Sequence, residues 1–376
     1  MRAEPTWIWE RDAWPRFRWD ALALAEPLAR ARHAQGRVAG ITSLLDPDQD
    51  LAAQLELFTR EGLATSAIEG ERLDPGSLRS SLARRLGVSA GGLTGPTRVT
   101  DALADLLLDA TRKCAEPLTL ERLCDWQAAL FPSGRSGVQR IRVGALRGPS
   151  PMRIVSGPIS RERVHFEAPP SSRLRSELGA LLRWIERPPE PTDGLLRAGI
   201  AHVWFEVLHP FEDGNGRVGR ALVDLLLARD EGRPVRSYSL SGRLMAERKE
   251  YYAQLDAVSR GDLEITPWLL WFVGRVEAAA HESETVLREV LRRARFFGRH
   301  GGALNERQRK AMQRMLDAGP SGFEGGMTNR KYASLTRTSP ATAQRDLAQL
   351  VELGCLTLVG AGRTARYELA ADALTA

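Results

Sequence analysis

Apolar side chains recur along most of this chain at intervals of three and four residues, which is the spacing of one face of an α-helix. Leu196, Ile200, Val203 and Val207 follow this spacing, and a second set of the same kind begins at Val218. Further helices are predicted at about residues 48–61 with a continuation at 65–69, and at 82–90, 100–114, 118–130, 246–258 and 266–297. The pattern therefore predicts a mainly α-helical protein.

Residues 134–170 break this pattern because they are rich in Gly, Pro, Ser and Arg. Two short runs with β-branched residues, at 153–155 and 163–166, flank a turn at 156–160. We expect the two runs to pair as a small β-hairpin within the helical fold.

The first 45 residues are polar and aromatic, and Trp7, Trp9, Trp14 and Trp19 lie close together in them. Each tryptophan can bury a large apolar area. The cluster therefore predicts a surface that docks against the rest of the chain, and a surface for a partner is the alternative.

Composition narrows the class of protein. Of the 376 residues 43% are hydrophobic and 27% are charged, which is an ordinary globular balance. Three cysteines are too few for a disulfide scaffold or a CxxC-type zinc cluster. The longest apolar runs fall far short of the roughly 18 residues of a membrane helix, and the first twelve residues contain no signal-peptide segment. We therefore expect a soluble, cytoplasmic protein with no membrane partner.

One segment, HPFEDGNGRVGR at residues 209–220, combines residue types that suit phosphate chemistry. Gly214, Asn215 and Gly216 permit backbone conformations in which several N–H groups converge. They lie where a predicted helix begins, and the helix dipole favours an anion at that end. The segment therefore predicts a phosphate-binding loop.

The charged side chains of this segment extend the prediction. Arg217 and Arg220 would add charge-assisted contacts to phosphate oxygens. Asp213 is placed to hold a Mg²⁺ ion that bridges phosphates, and His209 can accept a proton from an attacking hydroxyl. Each of these residues has an ordinary structural interpretation by itself, but together they favour transfer of a group from a nucleotide phosphate.

The segment also matches the Fic-family motif HPFxDGNGRxxR at every specified position, so the chain resembles that family. The resemblance implies an enzyme that moves AMP from ATP to a Ser, Thr or Tyr hydroxyl of a protein while pyrophosphate leaves. A kinase-like branch of the family has Lys in place of Gly216, which favours nucleotidyl transfer here. The implied roles are general base for His209, Mg²⁺ binding for Asp213, phosphate binding for Gly214, Asn215, Gly216, Arg217 and Arg220, and a core anchor for Phe211.

A second segment, TSAIEG at residues 65–70, is similar to the inhibitory motif [S/T]xxxE[G/N] of the same family. By this resemblance, a helix near 61–70 carries Glu69 to Arg220, where the carboxylate would occupy the place of the γ-phosphate. A solvated helical Glu is the ordinary alternative. The resemblance leaves open a further role, in which Glu69 orients a water that hydrolyses AMP from a modified target.

Weaker resemblances concern the target and the adenine. Val164, His165 and Phe166 resemble the flap that aligns a target segment by strand addition. Tyr252 lies in a segment that resembles the helix closing the adenine pocket, although the family often has Asn where this chain has Ser259. Ordinary loop and core packing are the alternatives for both segments.

The C-terminal segment is similar to a winged helix-turn-helix. Its three helices are predicted at about 305–318, 328–335 and 339–354, and a hairpin follows them. The recognition helix would present Ala341, Thr342, Arg345 and Asp346. Between residues 288 and 345 there are 13 basic and four acidic residues, which is consistent with DNA binding. Asp346 argues against it, and a module for protein interaction or dimerisation is the alternative.

The expected protein is an autoinhibited, Mg²⁺-dependent protein adenylyltransferase with a mainly α, Fic-type core. Two alternatives are a hydrolase that removes AMP and a DNA-binding regulator whose core senses nucleotide. The expected partners are ATP, an unidentified protein target or the chain itself, a second copy in a homodimer, and DNA through residues 303–376. The predicted domains are an N-terminal helical region at 1–95, the catalytic core at 96–285, a linker helix at 286–302 and the winged-helix domain at 303–376.

Overall fold

A computed structural model describes residues 6–88, 94–156, 163–233, 237–316, 323, 325–360, 362 and 365–370. The chain divides into two compact units. The first comprises Met1–Ser43 and Asp50–Glu284, and the second comprises Leu44–Gln49 and Thr285–Ala376. None of the described helices combines the length and the apolar character that crossing a membrane would require.

The described chain is mostly helical, as the sequence pattern predicted, and its strands form three short antiparallel pairs. The helices are α1 (Ala21–Thr42), α2 (Pro47–Ile68), α3 (Pro75–Leu86), α4 (Arg98–Arg112), α5 (Leu120–Leu130), α6 (Ser171–Glu186), α7 (Gly194–Leu208), α8 (Asn215–Asp230), α9 (Leu240–Ala246), α10 (Arg248–Ser259), α11 (Thr266–His300), α12 (Glu306–Leu316), α13 (Asn329–Thr336) and α14 (Pro340–Glu352). The strand pairs are β1 (Arg135–Ser136) with β2 (Gln139–Arg140), β3 (Arg153–Ser156) with β4 (Arg163–Glu167), and β5 (Leu356–Val359) with β6 (Arg366–Leu369).

Helices α7 and α8 form the centre of the first unit. Nearly every residue of both helices is buried, so the predicted apolar faces are parts of helices that are covered on all sides. The side chain of Asp193 caps α7 by accepting a hydrogen bond from the backbone of Leu195 at 2.8 Å. Since α7 ends at Leu208 and α8 begins at Asn215, the motif loop is a short connection between two rigid helices.

Helix α1 is an element that the sequence analysis missed. Its N-terminus is capped by Asp20, which accepts hydrogen bonds from the backbones of Leu22 and Ala23. Its mixed composition and an internal proline, Pro27, concealed the helical pattern. By contrast, the two helical segments predicted at 48–61 and 65–69 are one continuous helix, α2.

Trp7, Trp9 and Trp14, three of the four N-terminal tryptophans, contact distant residues of the first unit, as predicted. The Trp7 ring meets Phe166 edge to face at 5.4 Å between centroids, and the Trp14 ring lies 6.1 Å from that of Trp204. The indole N–H of Trp9 donates to the carbonyl of Glu167 at 2.7 Å. The cluster thus supports the predicted hairpin from one side.

The predicted hairpin is confirmed in its pairing. Strands β3 and β4 are antiparallel, with Ile154 opposite Phe166 and Arg153 opposite Glu167. The predicted turn at 156–160 lies outside the described residues from residue 157 onward.

The second unit contains α12, α13, α14 and the β5–β6 hairpin, and Met327 bridges to Tyr367 beside that hairpin. Ser339 caps α14 by accepting a hydrogen bond from the backbone of Thr342 at 3.2 Å, and Pro340 is the first helical residue. Helix α11 passes through the predicted linker helix at 286–302 as far as His300, and the boundary between the units falls inside it.

The prediction that Asp346 lies on a reading face is wrong. Asp346 is 5% exposed, because it falls on the buried face of α14 that also carries Ala343 and Leu350. Its carboxylate accepts hydrogen bonds from Tyr332 at 3.0 Å and from Arg307 at 2.8 Å. The residue therefore joins three helices of the second unit and contributes no acidic charge to the outer face of α14.

Candidate active site

The motif loop begins and ends with backbone in the left-handed region. His209 follows α7 with φ of 44°, and Gly214 precedes α8 with φ of 88°. A Cβ at Gly214 would lie 2.9 Å from the Phe131 ring, so both conformation and space require glycine there. These two residues turn the chain sharply and direct the N-terminus of α8 into the interior.

Asn215 holds the loop together from within. Its side-chain oxygen accepts from the backbone N–H of Phe211 at 2.9 Å, and its side-chain amide donates to the carbonyl of Phe211 at 2.8 Å. The Phe211 ring is fully buried, which fits the predicted role of a core anchor. In this structure the Asn215 amide therefore contacts the loop itself rather than the cavity.

A cavity of about 680 Å³ opens beside the loop, a size that suits a nucleotide. The predicted site residues that line it are Glu69, His165, Phe166, His209, Gly216, Arg220 and Tyr252. The other predicted site residues do not line it; these are Val164, Asp213, Gly214, Asn215 and Arg217. Asp213 contacts Ser136 and Arg217 contacts Glu71 instead. The sequence therefore identified residues that the fold brings into one cavity from the turn that follows α2, from β4, α8 and α10, and from the motif loop.

The environment of His209 favours a neutral imidazole with a free lone pair on Nε2. Its Nδ1 lies 3.3 Å from the carbonyl of Glu206, and because a carbonyl can only accept, Nδ1 carries the hydrogen and Nε2 keeps its lone pair. Burial lowers the pKa of His209 to about 4. The imidazole is therefore neutral at physiological pH.

Arg220 is held by the end of α2. It is 2% exposed, and its Nη2 lies 2.7 Å from Oε1 of Glu69. Its Nε donates to the hydroxyl of Thr65 at 2.7 Å, and its Nη2 donates to the carbonyl of Thr65 at 2.9 Å. The predicted pairing of Glu69 with Arg220 is thus present in the structure.

Glu69 also covers the start of α8. A Cβ added at Gly216 would lie only 2.2 Å from Oε1 of Glu69, so the carboxylate rests directly on the glycine backbone. A carboxylate placed at a helix N-terminus and beside a guanidinium occupies a position that suits phosphate oxygens equally well.

Arg217 has a carboxylate partner that the sequence analysis missed. Its Nη1 lies 2.8 Å from Oε2 of Glu71, and its guanidinium stacks over the Phe131 ring at 5.0 Å. Gly70, with φ of 83°, turns the chain after α2 so that Glu69 and Glu71 reach two arginines one turn apart on α8. The motif alone did not indicate Glu71, because its partner lies 146 residues away.

Asp213 is the residue of the motif loop that the sequence predicts to bind Mg²⁺. It accepts hydrogen bonds from the hydroxyl of Ser136 and from the backbone of Gly214. Among the described residues no cluster of three or more His, Cys, Asp or Glu side chains could hold a metal ion. A single carboxylate fits Mg²⁺, which is commonly bound by one or two carboxylates together with substrate phosphates and water.

The two neighbouring tyrosines have different environments. Tyr251 is buried, and its hydroxyl lies 2.7 Å from Nε2 of His202. Tyr252 is 41% exposed, and its hydroxyl donates to the carbonyl of Ile68 at 3.3 Å. The core interpretation therefore applies to Tyr251, whereas Tyr252 is available at the mouth of the cavity.

Glu206 lines the cavity and, like Glu71, was not predicted from the sequence. Its Oε1 is buried and has no hydrogen-bond partner within the described part of the chain. Burial, opposed by the charge of Arg220 and reinforced by that of Glu69, raises the pKa of Glu206 to about 8. The side chain is therefore mostly uncharged at neutral pH.

We expect Glu206→Gln to make the protein more stable than the wild type above pH 8 and equally stable below about pH 4.5. Because the folded pKa lies above the unfolded value, the wild type loses stability as the pH rises through this window, at up to about 1.4 kcal/mol per pH unit. Urea unfolding at pH 5 and pH 8.5 measures the difference, which we expect to be small at pH 5 and to approach about 4 kcal/mol at pH 8.5.

Glu250→Gln, at an exposed position of α10, is the matched control and should show no such gain. Equal pH dependence in the Glu206→Gln variant and the wild type would contradict the assignment of a neutral, buried carboxyl.

Comparison with known proteins agrees with the site. Residues 117–227 match the Fic/DOC family, and residues 7–88 match a domain of unknown function, DUF4172. The match to the Fic/DOC family includes helix α7, the motif loop and most of helix α8. This chain carries a Fic/DOC domain at residues 117–227, which confirms the resemblance inferred from the motif.

Two solved structures share the fold. A Fic family protein from Desulfovibrio desulfuricans G20 has a TM-score of 0.56 at 19% identity, covering 94% of this chain and 97% of that chain. A Fic domain containing signaling protein from Bacteroides thetaiotaomicron has a TM-score of 0.52 at 17% identity, covering 69% of this chain and 96% of that chain. At these identities the likeness concerns the fold alone.

Two curated relatives match shorter regions. Protein adenylyltransferase fic-1 of Caenorhabditis elegans is 35% identical over 108 residues, which are 28% of this chain and 20% of the relative. A probable protein adenylyltransferase of Aquifex aeolicus is 39% identical over 62 residues, which are 16% of this chain and 19% of the relative. The matched regions thus span about a fifth of each relative.

Proposed function

We propose that this protein is a Mg²⁺-dependent protein adenylyltransferase that Glu69 holds in an inhibited state. One observation supports this most directly: His209, the start of α8 and Arg220 share a single cavity, in which the Glu69 carboxylate lies 2.7 Å from Arg220. The names of the curated relatives support the same activity.

The proposed reaction transfers AMP from ATP to a hydroxyl. Nε2 of His209 accepts the hydroxyl proton, the oxygen attacks the α-phosphorus, and the bond between the α-phosphorus and the bridging oxygen breaks to release pyrophosphate. The backbone at Gly214 and Gly216 and the guanidinium of Arg220 would bind phosphate oxygens. Mg²⁺, held by Asp213, would neutralise phosphate charge.

The proposed inhibition follows from charge and space. A terminal phosphate at the start of α8 would meet the Glu69 carboxylate at short range, and two negative groups cannot both contact Arg220 there. Glu71 on Arg217 would restrain the same end of α2 at a second point. ATP would therefore bind poorly, or with its α-phosphate misplaced for attack.

The target would approach along the β3–β4 hairpin. Ile154, Val155 and Val164 expose apolar surface there, while His165 and Phe166 line the cavity. An extended target segment could add to the hairpin as a strand and bring its hydroxyl towards His209. Homodimer formation, self-modification and a cytoplasmic location stay predictions from the sequence.

Labelled ATP tests the activity. Incubation of the wild type and of Glu69→Gly with α-labelled and, separately, γ-labelled ATP distinguishes the group that is transferred. Incorporation of the α-label alone into the protein or into a lysate protein supports AMP transfer. Incorporation of the γ-label would mean phosphoryl transfer and would refute the proposal.

A second candidate function is DNA binding by the second unit, as a winged helix-turn-helix. The observation that favours it is the burial of Asp346, which leaves Arg337, Arg345 and Arg330 exposed on and around α13 and α14 without that acidic neighbour. Exposed basic side chains favour contact with phosphates.

We expect the full chain to bind random-sequence duplex DNA at low salt and to lose affinity as salt rises. Arg345→Ala should weaken binding uniformly and lower the salt slope by about one, because one phosphate contact is lost. Fluorescence anisotropy at several salt concentrations measures both. Arg112→Ala, an exposed arginine of α4, is the matched control. No binding at low salt would exclude this function and favour a protein-interaction module.

A further inference from the structure

Arg147 is a buried cation that lies behind the motif loop. It is 4% exposed, and burial lowers its pKa. Within the described residues its guanidinium bonds to backbone carbonyls and to no carboxylate. Burying a charge without an acidic partner costs free energy. The presence of Arg147 at this position therefore calls for a functional explanation, which its carbonyl partners suggest.

Those carbonyls surround His209. The Nε of Arg147 donates to the carbonyl of His209 at 2.8 Å, and its Nη2 lies 3.5 Å from the carbonyl of Leu208. The backbone N–H of Arg147 donates to the carbonyl of Pro210 at 2.9 Å. Arg147 thus binds three consecutive peptide groups around the catalytic imidazole.

These hydrogen bonds hold His209, whose backbone conformation requires support from its surroundings. His209 has a side chain and yet adopts φ of 44°, a conformation that persists only where surrounding contacts impose it. The same carbonyls terminate α7, where the helix dipole favours a cation. Arg147 is therefore placed to hold the left-handed turn that presents the imidazole to the cavity.

The same guanidinium reaches the flap. Its Nη2 also donates to the carbonyl of Pro169, two residues beyond the end of β4. Next to Pro169, the backbone of Ala168 donates to the carbonyl of Met152, which precedes β3 at the same end of the hairpin. One side chain thereby joins the base of the hairpin to the turn that carries His209.

We propose that Arg147 is a positioning residue that fixes catalytic His209 in its left-handed conformation and sets its distance from the flap. This proposal rests on the proposed function for its kinetic consequence only, since the conformation of His209 can be measured without turnover. Arg147 lies outside the segment at 209–220, so the motif did not indicate it.

The positive charge of Arg147 also affects the pKa of His209, which an uncharged residue with a purely structural role would not do. Burial is the main cause of the low pKa of His209, the hydrogen bond to Glu206 opposes it, and the cation of Arg147 lowers it further. Glu69 and Asp213 face the same imidazole and raise its pKa. Removal of the cation should therefore move the pKa of His209 upwards, towards the ordinary value near 6.5.

The test compares Arg147→Met and Arg147→Lys with Arg229→Met, all in the full chain. Arg229 is a fair control because its guanidinium also binds backbone carbonyls, those of Cys114 and Glu116. Imidazole signals are titrated by NMR, and His209 is assigned from the signal missing in His209→Gln. We expect a pKa for His209 that is raised in Arg147→Met, partly restored in Arg147→Lys, and unchanged in Arg229→Met.

Kinetics in the Glu69→Gly background provide the second measurement. We expect Arg147→Met to lower kcat for AMP transfer about tenfold to a hundredfold with little change in KM for ATP, because the base is misplaced while the nucleotide contacts remain. Added guanidinium ion should restore part of the loss. If Arg147→Met does not fold, the same titration and kinetics on Arg147→Lys decide.

An unchanged His209 pKa together with a kcat loss no larger than that of Arg229→Met would overturn the proposal. An enzyme without any AMP transfer would refute the proposed function instead, and the titration would still test the placement of His209.

Discussion

Replacement of Glu69 by glycine is expected to raise AMP incorporation from ATP about a hundredfold. The change removes the carboxylate from Arg220 and vacates the space directly over Gly216, so that a terminal phosphate can take both contacts. A hundredfold gain corresponds to about 2.7 kcal/mol, less than the roughly 4 kcal/mol between unit charges 4 Å apart near a protein surface. The initial rate of α-label incorporation at fixed ATP measures the effect.

Two variants serve as controls for this result. Glu56→Ala removes a carboxylate of α2 that pairs with Arg79, outside the cavity, and should leave the rate unchanged. Glu71→Gln frees Arg217 only, and we expect a gain of a few fold from it. If Glu69→Gly and Glu56→Ala incorporate the α-label at the same rate, Glu69 is not the inhibitory residue. Release of AMP from a modified target that is lost in Glu69→Gly would instead give Glu69 the hydrolytic role.

Replacement of His209 by alanine in the Glu69→Gly background is expected to abolish the transfer, with a loss of about 10²- to 10⁴-fold. The hydroxyl loses the base that removes its proton, while the loop, Arg217 and Arg220 can still bind phosphates. Calorimetry with Mg·ATP should therefore show binding close to that of the parent variant. A rate that survives the substitution would refute His209 as the base, and lost binding would indicate a collapsed loop.

The same base sets the pH profile of the active variant. Because burial lowers the pKa of His209 to about 4, kcat should stay level from pH 6 to pH 8 and fall only as the pH approaches that value. A fall centred near pH 6.5, the ordinary value for histidine, would mean that the imidazole is solvated during catalysis.

Much of the secondary structure around the site could be predicted from the amino-acid sequence. Helices α7 and α8 have the apolar periodicity that predicts them, and the glycines of the loop can adopt the backbone that the turn requires. The β3–β4 hairpin could be predicted because its two strands lie close together in sequence, and their pairing is confirmed. Helix α1 was missed, since an internal proline and a weak apolar face conceal it.

The sequence by itself determined the local structure and the chemistry of this site: the helices, the turn between them, and the order of imidazole, carboxylate and guanidinium groups along the loop. Only the tertiary structure decided which groups meet. Arg147 reaches His209 across 62 residues and Glu71 reaches Arg217 across 146. Asp346 turned inward because three helices of the second unit close around it. Periodicity and backbone preference act over a few residues, whereas burial and partner choice depend on packing between distant segments, which no local pattern encodes.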